Sequence, residues 1–106
     1  GDVLIGGLGL GMVHQPLIDN PNVTSVTVVE LEQDVVDLVW SHCPKDDSFT
    51  LVVDDFETWT PPAGSSFDTV WGDTWLVDSP LTMDEYRTLI TNKYSQYTNN
   101  IGVWGS

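Results

Sequence analysis

Three glycines at alternate positions, Gly7, Gly9 and Gly11, follow the short apolar run Val3 to Ile5, and an acid, Glu30, closes the next apolar run. A glycine has no Cβ, so a loop built this way lets a ligand lie directly on the backbone at the tip of a strand. A carboxylate about 20 residues past such a loop is placed to accept hydrogen bonds from both hydroxyls of a ribose. The two features together predict a ligand that contains a nucleoside. The spacing narrows the choice. A dinucleotide fingerprint requires G-x-G-x-x-G, whereas this loop is G-x-G-x-G; the completing position holds Met12 when counted from Gly7, and His14 when counted from Gly9.

Further acids follow later apolar runs. Asp54 and Asp55 come directly after Phe49 to Val53, and Asp73 comes after Phe67 to Trp71. Ligands of open α/β sheets bind beyond the carboxyl ends of the strands, which is where these acids fall. The negative charge of a carboxylate at Asp73 would hold a cationic amine in place. Trp71 and Trp75 flank it, either as packing or as walls that meet a cation through their ring faces. Other chemistries find little support. Cys43 stands at a predicted helix end beside Pro44, His14 is isolated, and no metal-ligand spacing is present.

The elements that must position these residues alternate between strand and helix. Strands are predicted at Val3 to Ile5, Val23 to Val29, Phe49 to Val53, Phe67 to Trp71 and Ile101 to Trp104. A first helix begins near Gly11 or Met12 and turns Met12, Val13, Leu17 and Ile18 to the sheet; Asp19-Asn20-Pro21-Asn22 ends it as a turn. A second runs from Gln33 to His42 on the stripe Val35, Val36, Val39 and Trp40. A third opens on a capping box, Thr82 with Glu85, and carries Met83, Tyr86, Ile90, Tyr94 and Tyr97 at helical spacing. Such alternation predicts an α/β fold around a parallel sheet.

The glycine loop resembles motif I of the class I S-adenosylmethionine-dependent methyltransferases, and within them the spermidine-synthase-like branch. The resemblance continues through NPNVTSVTVVELEQDVVDLV (Asn20 to Val39), LVVDDFETW (Leu51 to Trp59) and FDTVWGDTW (Phe67 to Trp75), and so covers nearly the whole chain. It implies a Rossmann-like three-layer αβα sandwich with strand order 3-2-1-4-5, lacking the family's usual C-terminal strands. It implies S-adenosylmethionine as cofactor, bound by Gly7, Gly9, Gly11 and Glu30. Leu31 then lies either against the adenine or in the core. Of the acids after strand three, Asp54 matches best the one that accepts the adenine amino group, with Asp55 adjacent and Phe56 as a wall. Asp73 matches the aspartate that deprotonates the amine in spermidine-synthase-like enzymes, although WGDTWLVD departs from that branch's pattern.

Composition bounds the reading. A chain of 106 residues with 41% apolar content predicts one globular domain. Sixteen acids against three bases, Lys45, Arg87 and Lys93, give a net charge of −13. That field repels phosphate backbones, which argues against direct nucleic-acid binding and favours a small substrate, cationic or neutral. No run is long enough for a membrane helix and no targeting segment is legible, so the expected location is the cytoplasm. Strand five leaves an edge open, which predicts a homo-oligomer or a larger chain covering Ile101 to Trp104. The expected activity is methyl transfer to an acceptor that the cofactor residues do not specify. Aminopropyl transfer to a polyamine and a non-catalytic cofactor-binding domain are the rivals.

Overall fold

The structure, a computed structural model, describes residues 1–7, 18–42, 46–72, 74 and 80–103. Five strands form one sheet: β1 (Asp2–Gly6), β2 (Ser25–Glu30), β3 (Phe49–Val53), β4 (Thr69–Gly72) and β5 (Ile101–Val103). Their order is β3-β2-β1-β4-β5 and every pairing is parallel. Two helices are described, α1 (Gln33–Val39) and α2 (Met83–Tyr94). They cover opposite faces of the sheet. The fold is therefore the expected α/β, Rossmann-like arrangement of three layers, in the expected strand order.

Alternation along the strands divides the core in two. Val3, Ile5, Val26 and Val28 point to one face, where Val35, Val39 and Trp40 of the α1 segment pack on them. Leu4, Val29 and Val70 point to the other, beneath Tyr86, Ile90 and Tyr94 of α2. The central strands β1 and β2 are buried on both faces, which is why they read as near-continuous aliphatic runs.

Each helix is set by local sequence. Thr82 caps α2: its Oγ1 accepts the Glu85 N–H at 3.1 Å, and Glu85 Oε1 accepts the Thr82 N–H at 2.9 Å. The box closes two of the N–H groups that a helix start leaves without intrahelical partners. Tyr86, Ile90 and Tyr94, four residues apart, then stack along one side of the helix and are buried. α1 is shorter than its pattern predicts. After Val39 the chain tightens into a 3₁₀ turn, Trp40–His42, a common way for a last turn to use its carbonyls. Trp40 nonetheless keeps its place against the sheet. β2 starts two residues later than Val23, because Val23 donates to the Asn20 carbonyl and the ladder with β1 opens at Asp2 and Ser25. β4 likewise starts at Thr69 and runs to Gly72. The first helix falls mostly on residues outside those described.

Candidate functional site

The parallel sheet gathers the carboxyl ends of β1, β2, β3 and β4 along one edge. Gly6 is level with Val29 and Gly72, and Glu30 with Val53. Directly beyond Gly6, Gly7 adopts φ +92°, a left-handed conformation that costs a residue with a Cβ about 1–2 kcal/mol. Its N–H donates to the Val29 carbonyl at 2.8 Å, so the chain leaves β1 while still pinned to β2. Gly9 and Gly11 lie outside the described residues.

Glu30 stands at the end of β2, half-buried. Its Oε2 accepts the Glu32 N–H at 2.9 Å, which aims the carboxylate across the start of α1. A carboxylate offers about four lone pairs on its two oxygens, the chemistry that hydrogen-bonding to a diol requires. The Glu30 carbonyl accepts the Asp54 N–H at 3.0 Å, which ties the turn after β3 to the end of β2. Leu31 is 53% exposed, so it is a surface side chain beside Glu30 and not part of the core. Val53, level with Glu30 on the neighbouring strand, is 46% exposed. Two aliphatic side chains left in solvent on either side of an acid form a surface suited to an aromatic base. Sequence periodicity did not single out Val53, because it also completes the β3 run.

The turn after β3 is held by its own acids. Asp54 Oδ1 accepts the Asp55 N–H at 2.7 Å, and Asp55 Oδ1 accepts the Glu57 N–H at 2.9 Å. The Asp55 carbonyl accepts from Thr58 and Trp59. Burial raises the Glu57 carboxyl above its ordinary range, and the neighbouring Asp55 charge adds to the rise. Asp54 is exposed and Asp55 half-buried, so Asp54 is the more accessible acceptor.

Phe56 occupies a different place from the one implied by the resemblance. Its side chain is 1% exposed and lies inside the core, stacked on Tyr94 with ring centroids 4.5 Å apart and planes 14° apart. A Cβ on Gly6 would fall 2.2 Å from its ring. The ring fills the space that two facing glycines, Gly6 and Gly72, leave on the α2 side, and so is a foundation of the edge and not a wall above it. Trp71 is also packed, on the α1 face with Val3 and Ile5, where a Cβ on Gly102 would approach its Cε3 to 2.7 Å. Asp73 and Trp75 lie outside the described residues. Thr74, one residue past Asp73, is fixed: its Oγ1 lies 2.6 Å from the Tyr86 hydroxyl, which also accepts the Thr74 N–H at 3.1 Å.

The described bases stand elsewhere. Arg87 pairs with Asp84 at 3.1 Å, and Lys93 Nζ sits 5.5 Å from the Tyr94 ring centroid. The edge is lined by Glu30, Glu32, Asp54 and Asp55, a field that favours a cation over a pyrophosphate. No group of three His, Cys, Asp or Glu among the described residues could hold a metal ion. Two open clefts of about 370 and 320 Å³ lie at the opposite, amino edge, around Asp2, Ser25 and Phe67 and around Asn22 and Asp68. The carboxyl edge is the better candidate, since it is where strand ends and turns converge acceptors and glycine backbone. No described helix is long and apolar enough to cross a membrane.

Comparison with known proteins agrees at the level of fold. No family model matches the sequence and no curated protein matches it. Among solved structures, that of a "putative methyltransferase" from Thermoplasma acidophilum superposes with a TM-score of 0.56 at 18% identity. The match covers 87% of this chain and 38% of that one. This chain thus shares a Rossmann-like α/β fold with that structure and spans well under half of that protein's length.

Proposed function

We propose that this chain binds S-adenosylmethionine along the carboxyl edge of β1, β2 and β3 and serves a methyltransferase. The observation that carries the reading is the pair of backbone bonds that lock three strand ends in series: Gly7 to Val29, and Asp54 to Glu30. They bring Gly7, Glu30 and Asp54 to neighbouring strand ends, which supports reading them as backbone contact, diol acceptor and amino acceptor for an extended adenosyl ligand. The residues present fit the cofactor by their chemistry. Glu30 accepts from the ribose hydroxyls, Leu31 and Val53 flank the base, and Asp54 accepts from its amino group. When bound, the cofactor supplies an electrophilic methyl group on a sulfonium.

The protein's part is placement. Direct displacement needs nucleophile and methyl carbon in line, and holding them so is worth several orders of magnitude in rate. The acidic edge favours the sulfonium form of the ligand, and Asp73, which precedes in sequence the Thr74 that Tyr86 bonds, is the residue we assign to receive the acceptor's proton. A carboxylate there suits an amine acceptor, because an ammonium must lose its proton before its nitrogen can attack.

Calorimetric titration with S-adenosylmethionine and S-adenosylhomocysteine tests the reading. Micromolar binding is expected, weakened by about 10–100-fold in Glu30→Ala, since hydrogen bonds to a charged acceptor contribute about 1.5–3 kcal/mol. An intact chain that binds neither ligand sinks the proposal. Once an acceptor is found, release of S-adenosylhomocysteine identifies methyl transfer. Release of methylthioadenosine identifies aminopropyl transfer instead.

A further inference from the structure

The described contacts of α2 reach beyond packing, to the turns that carry the site. Tyr86 lies in its first turns and bonds Thr74 after β4, so the amino end of the helix stands at the carboxyl edge of the sheet. Side chains on a helix lean toward its amino end. Tyr94, two turns further along, therefore leans back toward the same edge, and its hydroxyl donates to the Phe56 carbonyl in the turn after β3. Its ring stacks on that of Phe56, and both side chains are no more than 1% exposed. Phe56 in turn lies under Gly6 at 2.2 Å from a would-be Cβ, and within 3.4 Å of one on Gly72. One buried pair thus meets the ends of β1, β3 and β4 together.

We propose that Tyr94 and Phe56 are positioning residues that hold the turn after β3 in register with Glu30, and thereby make the site selective for the base of its nucleoside. This rests on the preceding reading of the carboxyl edge. The chemistry of selection follows from the acceptors in that turn. A ribose held by Glu30 on β2, with the ligand's other end at the β1 glycine turn, places its base toward β3. There the turn offers carboxylates, which only accept hydrogen bonds. Such a turn favours a base bearing an exocyclic amino donor and disfavours one bearing a carbonyl oxygen at the same position. The preference depends on where Asp54 and Asp55 stand. Asp54 is exposed and fixed by two backbone bonds, its N–H to the Glu30 carbonyl and its Oδ1 to the Asp55 N–H. The Phe56 carbonyl that Tyr94 holds is the next anchor along the chain. Burial pushes the Tyr94 hydroxyl's pKa well up, so it stays a donor throughout the accessible pH range.

The test compares S-adenosylhomocysteine with its deaminated analogue S-inosylhomocysteine by calorimetry on the full chain. The wild type is expected to prefer the adenosyl ligand by about tenfold or more, the factor that one hydrogen bond to a charged acceptor supplies. In Tyr94→Phe the stack survives and only the hydroxyl is lost. Its preference is expected to fall to about threefold or less, while affinity for the inosyl ligand changes little. Phe56→Leu, which keeps the Tyr94 hydroxyl and the backbone carbonyl but removes the stacked ring, is expected to behave the same way and serves if Tyr94→Phe folds poorly. A purely structural contribution would weaken both ligands equally and leave their ratio intact; that result overturns the proposal. Equal binding of the two ligands by the wild type also overturns it, while leaving the cofactor reading standing. Binding of neither ligand by the wild type removes both readings at once.

Discussion

Gly6→Ala is the substitution for which the structure gives the sharpest expectation. Its added Cβ would lie 2.2, 2.3 and 2.5 Å from Cδ2, Cγ and Cε2 of Phe56. Carbon atoms pack at about 3.5–4.0 Å, so relief requires the ring to move by more than about 1 Å. The ring has nowhere to go: it is stacked on Tyr94, and the Tyr94 hydroxyl holds its own backbone. Overpacking of this kind costs about 1–3 kcal/mol, and a ring fixed on both sides belongs at the upper end. Gly6 is not one of the positive-φ glycines, so alanine also gains about 0.4–1 kcal/mol by restricting the unfolded chain. The net loss is about 2 kcal/mol, a large share of the 5–15 kcal/mol typical of a domain. With a urea m-value of about 1–1.5 kcal/mol/M for a chain of this size, the unfolding midpoint should fall by about 1.3–2 M. A double-mutant cycle with Phe56→Leu makes the reasoning specific. Shrinking the ring opens room for the methyl, so the double variant should be more stable than the sum of the singles predicts, by at least about 1 kcal/mol. An unchanged midpoint in Gly6→Ala, or strict additivity in the cycle, refutes the placement of Phe56 under the β1 tip.

Two further outcomes follow from the helix cap and from the carboxylates. Thr82→Ala removes the acceptor for the Glu85 N–H and should lower stability by about 1 kcal/mol, read as a shift in urea midpoint with unchanged m-value, whereas Thr82→Ser should leave it nearly intact. The Asp2 carboxyl is held below its ordinary 3.8 by the Ser25 hydroxyl and then by that of Thr24, and the Glu85 carboxyl below 4.5 by the Thr82 N–H and then the Thr82 hydroxyl. A depressed folded pKa contributes stability that is complete above the unfolded value and lost as pH falls through the folded one. Midpoints should therefore be level above about pH 5 and decline below it, and Ser25→Ala should make the decline shallower. Glu57, raised by burial, works in the opposite direction and blunts that limb. A midpoint that rises steadily as the pH is lowered from 5 to 3 would contradict the assignment.

What could be read directly from the sequence is what local rules decide. β3 occupies its expected span, Phe49–Val53, because an apolar run bounded by Ser48 and two aspartates has no other use for its alternation. The capping box forms as the Thr82 and Glu85 spacing requires, and Tyr86, Ile90 and Tyr94 bury as their period demands. The strand order is the one that the resemblance to class I methyltransferases implies, and Gly7 and Glu30 stand at the ends of the neighbouring strands β1 and β2, where the glycine and acid spacing put them. The place of Phe56 was not legible. Nothing in DDFETW has a period, so an aromatic next to two acids looks like a surface residue. Its true position is set by Gly6 and Gly72, which become partners only once β1 and β4 pair. Two glycines on the same face of adjacent strands leave a void that a large side chain must fill, and that is the signal the linear sequence held without displaying.

The proposed ligand edge makes two opposed demands on the strand tips. A ligand edge needs strand tips without side chains, so that backbone can approach the ligand, yet tips without side chains weaken the core beneath them. Here the deficit is met from a distance. Phe56 is sent back under the sheet from the turn after β3, and α2 supplies the tyrosines that hold it and Thr74. The glycines that open the upper surface thus create the space that fixes the turns around it. Substitutions in α2, remote in sequence from Glu30 and Asp54, should on the proposed reading alter affinity as well as stability. A chain in which Tyr86 and Tyr94 could both become phenylalanine with ligand affinity untouched would have its turns held by some other means.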